Sequence, residues 1–175
     1  MKKSLRLRIV IAVLIICIYV FLSPFVTVYY LISDGVEGNA AGIVGSIDKA
    51  ILKDNVKTQL REAFLKKMSA EGRYGPFRAL SNKFALDRFD PMIDEMMSTT
   101  SIKQDTESMM VGNVSWTEKM KIKMGLLAKL DYKYKSLSEF AFYATPNKKI
   151  EITLSRSSLI IWKITNVTLP PMMLP

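Results

Sequence analysis

Apolar and polar positions change rhythm twice along the chain. Residues 9–33 carry no charged side chain, a run long enough to cross a bilayer as a helix, which needs about 20 residues at roughly 1.5 Å rise each. Lys2, Lys3, Arg6 and Arg8 precede the run, whereas Asp34 and Glu37 follow it and the next cation is Lys49. That asymmetry predicts an uncleaved single-pass anchor with its N-terminus in the cytoplasm. A cleaved signal peptide fits less well, because cutting after Ser23 leaves Phe21 at −3 and Pro24 directly downstream. The Ser23-Pro24 pair reads as the exit, an N-cap followed by a first-turn proline. Phe25, Tyr29, Ile32 and Val36 then recur at helical spacing, and Tyr29 and Tyr30 suit a lipid–water interface. The hydrocarbon is expected to end between Leu22 and Tyr30, with a new helix growing straight out of the anchor.

The middle of the chain keeps the helical period. Asn39 caps a short helix through Ile47, and Asp48 caps the next, whose Leu52, Val56, Leu60, Ala63 and Phe64 form an apolar stripe. Pro76 opens a helix with Phe77, Leu80 and Phe84 on one face. Asp90-Pro91 repeats the cap-and-proline signal ahead of Ile93, and residues 98–112 read as a polar helix or a loop. Ser115 and Glu118 have capping-box spacing for a helix from Trp116 towards Leu126.

The period then shortens to two. LAKLDYKYKS, EFAFYAT, KKIEITLS and LIIWKITNVTL read as four strands with serine-rich turns between them. Ile150, Ile152 and Leu154 alternate with Lys149, Glu151 and Thr153, giving a sheet with one wet face. Ile160, Trp162 and Ile164 share one phase, but Val167 and Leu169 share the other, so a β-bulge is expected near Thr165-Asn166. Helices followed by an antiparallel meander make an α+β fold. The expected division is an anchor at 1–30, an α+β body at 31–170 and a tail at 171–175.

Composition removes most catalytic classes. The 175 residues include no histidine and a single cysteine, Cys17. An internal disulfide is therefore impossible, and the usual zinc site and the Ser-His or Cys-His nucleophile are gone. No metal site and no cofactor are expected. The formal charge is +9, but four of the cations precede the apolar run. Lys49, Lys53, Lys57 and Arg61 follow one another at steps of four, a row suited to a solvated face or to an anionic surface. Nucleic acid is not the expected partner: KLDYKYK interleaves aromatics with cations only faintly, and the expected location outside the cytosol argues against strand binding.

The segments Asp48–Leu60 (DKAILKDNVKTQL) and Trp162–Pro170 (WKITNVTLP), behind a single N-terminal anchor, resemble an uncharacterised bacterial family, the domain of unknown function twenty-nine thirty-nine. Lys49 departs from the aromatic residue usual after the aspartate, and Ser98-Thr99 stands where a Thr-Pro pair is expected. The resemblance implies a nuclear-transport-factor-two-like superfold, a cone of helices packed into a curved sheet. Folds of that kind serve both enzymes and binding modules, so fold alone assigns no activity. In such a cone Phe140, Phe142, Trp162 and Tyr132 are the expected lining of an apolar pocket.

The expected function is a periplasmic domain, held by a single pass in the bacterial inner membrane, that binds an envelope protein or a small apolar ligand without catalysis. The alternative is an isomerase- or hydratase-type enzyme using a buried carboxylate. Asp48 and Asp131 are the candidates, beside Tyr132, Tyr134 and Tyr143. Helix capping by Asp48 and a solvent-facing strand position for Asp131 are the simpler roles, and no catalytic residue is assigned.

Overall fold

In the computed structural model, residues 2–70, 87, 91–95, 98–109, 112, 114–144 and 150–168 are described. Ahead of the sheet the described residues include the helices α1 (Lys2–Glu37), α2 (Ala40–Gly45), α3 (Lys49–Ala70), α4 (Thr99–Met109) and α5 (Trp116–Ala128). The strands β1 (Leu130–Tyr134), β2 (Glu139–Ala144), β3 (Ile150–Arg156) and β4 (Trp162–Thr168) follow, in an open antiparallel meander of order β1-β2-β3-β4. The α+β expectation holds, with helices packed on a four-stranded antiparallel sheet. The helix expected after Pro76 and the tail at 171–175 lie outside the described residues. Residues 91–95 are helical with Ile93 buried, as Asp90-Pro91 implies, and the polar stretch after Ser98 is helix α4 rather than loop.

The Ser23-Pro24 expectation is corrected. These residues start no new helix; α1 runs through them without a break, with Pro24 in its interior. Proline removes the N–H that would bond the carbonyl four residues back. Here that carbonyl belongs to Val20, and Ser23 Oγ donates to it instead at 2.7 Å. A polar side chain within the same turn thus replaces the lost backbone bond. The same Ser23 Oγ accepts a hydrogen bond from Trp162 Nε1 at 2.7 Å. Helix, proline and sheet meet at one satisfied hydroxyl.

Past that point α1 lies along the sheet. Val28 is fully buried with Leu52, Phe140, Phe142, Leu154, Trp162 and Ile164, and Phe25, Leu31 and Ile32 pack against this cluster. Phe25, Ile32 and Val36 take up the helical spacing read from the sequence, Val36 being buried as well. The helix crosses position 30, the expected domain boundary, in mid-run. It ends at Gly38, whose φ of 71° is the left-handed conformation glycine adopts without steric cost.

β4 is an edge strand, and its outer side is covered. The segment after α2 forms a parallel bridge between Ile47 and Ile164, with Asp48 N donating to Ile164 O at 2.9 Å and Ile164 N to Ser46 O at 2.8 Å. From α3, Asn55 Nδ2 donates to Thr165 O at 2.8 Å, and Gln59 Nε2 to Val167 O at 3.0 Å. The edge carbonyls therefore have partners, which blunts a surface otherwise prone to pairing with other chains. The register of β3 on β4 shifts between Thr153 and Leu154, leaving Thr165 as the extra residue of a bulge where the phase slip predicts one. The segments Asp48–Leu60 and Trp162–Thr168, far apart in sequence, form one interface.

Candidate functional site

The aromatic residues expected to line a pocket are brought together, but as core. Phe140 is 0 % exposed, Trp162 2 % and Phe142 7 %, while Tyr132 is half-buried. Phe25 of α1 fills the space above them, its ring centroid 4.8 Å from Phe140 and 5.4 Å from Tyr132. Edge-on and tilted geometries at these distances are ordinary aromatic packing. Burial raises the pKa of Tyr132, whose hydroxyl donates to Leu127 O at 3.1 Å. Burial likewise raises that of Tyr134, against the opposing charge of Arg156, and its hydroxyl donates to Phe21 O. These phenols hold α1 and α5 on the sheet.

The candidate carboxylates lie elsewhere. Asp48 Oδ1 accepts from Ile51 N at 3.2 Å, so Asp48 caps α3. Asp131 is exposed at a register position opposite Tyr143, on the face away from the core cluster. On that face burial pushes the pKa of Glu151 up, but hydrogen bonds from Lys135 and Tyr143, with the charge of Lys135, outweigh it and hold the carboxyl low. Among the described residues no group of histidine, cysteine and carboxylate side chains could hold a metal ion.

The row of cations on α3 is partly engaged within the fold. Lys53 forms an ion pair with Asp94, and the charge of Lys57 also acts on that carboxylate. Lys49 and Lys57 have interaction partners, and Arg61 is exposed. Among the described residues the buried cation is a different one: Lys123 of α5, 6 % exposed, which pairs with Glu37 and donates to Ser33 Oγ at 2.8 Å.

A concave site does open beside the core, on the other flank of Trp162. A cleft of about 480 Å³ runs between α1, α2 and the start of β4. Tyr19, Val26 and Ile160 line an apolar wall; Thr27, Asp34 and Ser46 supply polar groups further along. Its size falls within the range of ordinary small-molecule sites. Gly42 leaves room for the Asp34 carboxylate in this position, since a Cβ there would lie 2.2 Å from Asp34 Oδ2. Asn39 fixes Asp34 by donating to Oδ1 at 2.8 Å, and Lys163 closes the rim by donating to Gly45 O at 2.6 Å. Sequence reasoning missed this cleft because its walls come from three segments. The one signal was the cluster of glycines here, and of these Gly42 alone sits in a close contact, since a Cβ at Gly35 or Gly45 would meet nothing within 4 Å.

Residues 13–104, more than half of the chain, match the model of a family described as Protein of unknown function (DUF2939). The match spans most of α1, all of α2 and α3 and part of α4, and stops before the sheet. Comparison with curated proteins and with solved structures finds no match.

Proposed function

The chain belongs to the DUF2939 family, whose function is unknown, and on that premise we propose a single-pass, non-catalytic binding protein of the bacterial inner membrane. Its α+β body stands on the periplasmic side and takes a small apolar or amphipathic ligand in the cleft beside Trp162. The helix Leu7–Glu37 is long and apolar enough to cross a membrane, and the cations ahead of it favour a cytoplasmic N-terminus. A cone of the nuclear-transport-factor-two-like kind belongs to the same reading.

The cleft carries the proposal. It joins an apolar wall to Asp34, Thr27 and Ser46, a pairing of greasy surface with a few fixed polar groups that suits a ligand with a tail and a polar head. The enzymatic alternative requires a carboxylate enclosed among apolar groups; Asp48 in its cap and Asp131 on the exposed face give it no support.

The test is a titration of the full chain in detergent with a medium-chain fatty alcohol, whose neutral head can donate to Asp34, with Trp116→Phe leaving Trp162 as the sole tryptophan. A saturable change in Trp162 emission is expected, and Val26→Trp, read instead with a fluorescent fatty alcohol, should abolish binding by filling the cleft. A signal that never saturates, or binding indifferent to Val26→Trp, overturns the proposal. Protease added to spheroplasts tests the location: the body should be cut from outside.

A further inference from the structure

The end of the sheet nearest the exposed half of α1 carries apolar side chains that the fold leaves uncovered. In a meander the β1–β2 and β3–β4 turns lie at the same end. Tyr134 and Trp162, beside those turns, touch Phe21 and Ser23, so both tips stand level with the point where α1 leaves the sheet. Leu137 at the first tip is 84 % exposed, and Leu159, Ile160 and Ile161 at the second are 65 %, 41 % and 51 % exposed. Four large aliphatic side chains on two short turns are costly in water.

The length of the helix says what covers them. From Ile9 to Val20, the uncharged stretch not packed on the sheet, α1 rises about 18 Å. The hydrocarbon layer is about 30 Å thick. An upright crossing that starts at Ile9 therefore runs on to about Val28, past the level of the hairpin tips.

We propose that Leu137 and Leu159–Ile161 enter the outer edge of the same bilayer, so that the body is docked by two hairpin tips as well as by its helix. This rests on the anchor reading above. The surroundings fit a lipid boundary. Tyr30, 59 % exposed on α1 just past Val28, is a residue type that gathers at headgroup level. Arg156, with its guanidinium carbon 4.6 Å from the centre of the Trp162 ring and Nη1 donating to Leu159 O at 3.1 Å, keeps the cation of the second turn engaged within the fold. The turns also bond their own backbones, as immersion requires: Ser136 N donates to Glu139 O at 3.1 Å, and Ser157 N to Ile161 O at 2.9 Å.

The experiment uses the full chain in phosphatidylcholine–phosphatidylglycerol vesicles carrying nitroxide-labelled lipid. A polarity-sensitive fluorophore is attached at Cys17 or, in Cys17→Ser chains, at Leu137→Cys, Ile160→Cys or Thr117→Cys. Thr117 is exposed on α5 and serves as the reference for aqueous surface. The proposal expects labels at 17, 137 and 160 to be quenched several-fold more than the label at 117, with blue-shifted emission. Quenching at 17 with tips no more quenched than 117 overturns tip insertion and leaves the anchor standing. No quenching at 17 overturns the anchor, and the proposal with it.

Discussion

The two halves of α1 are built from similar side chains and have opposite surroundings. Val10, Val13, Leu14 and Ile16 before Val20 are about half-exposed or more, while Pro24 and Val28 after it are fully buried. Apolarity does not separate them. The difference lies in small polar residues, Ser23, Thr27 and Ser33, each of which forms a hydrogen bond: Ser23 and Thr27 to backbone carbonyls of α1, Ser33 to Glu37, and Ser23 and Ser33 also accept from other elements. A helix segment facing lipid has no use for such groups, whereas one facing a sheet can use them to fix its depth and rotation.

The same substitution placed in each half breaks the comparison most sharply. Val28→Arg puts an unpaired charge in the core and is expected to cost more than about 4 kcal/mol, seen as loss of cooperative urea unfolding of the body. Leu14→Arg should leave that unfolding unchanged and instead weaken membrane insertion by about 2.5–3.5 kcal/mol, read by carbonate extraction. Equal effects from the two would dissolve the distinction. Ser23→Ala, which strips partners from Val20 O and Trp162 Nε1, should destabilise the body by about 1–3 kcal/mol. Lys123→Ala, loosening the tie between α5 and the far end of α1, should cost about 1–2 kcal/mol.

The smallest effect is an acid one, on the sheet face away from α1. Glu151 has a folded pKa below its ordinary value of 4.5, so its stabilisation is complete above that pH and is lost as pH falls through the lowered value. Glu151→Gln should flatten the dependence of the urea midpoint on pH below about 4.5.

Local structure was legible where one residue's neighbours decide it. The alternation of Ile150, Ile152 and Leu154 defined β3, the slip before Val167 located the bulge, and Ser115 with Glu118 forms the capping box its spacing implies. Pro24 was misread because the group that reconciles it with the helix is a serine held in turn by a tryptophan 139 positions away. Phe140, Phe142 and Trp162 were recognisable as an inward-facing set, but only the fold reveals that Phe25 occupies the space above them. The cleft was hidden for a related reason: Asp34, Ser46 and Ile160 become neighbours only once α2 packs between α1 and the start of β4.

The unbroken passage of α1 through Pro24 has a mechanical consequence. With no break at Pro24, the proposed span and the body share one helical axle. When such an axle leans to match a thinner or thicker bilayer, the sheet fastened to it by Ser23, Phe25 and Val28 must swing through the same angle, carrying the mouth of the cleft with it.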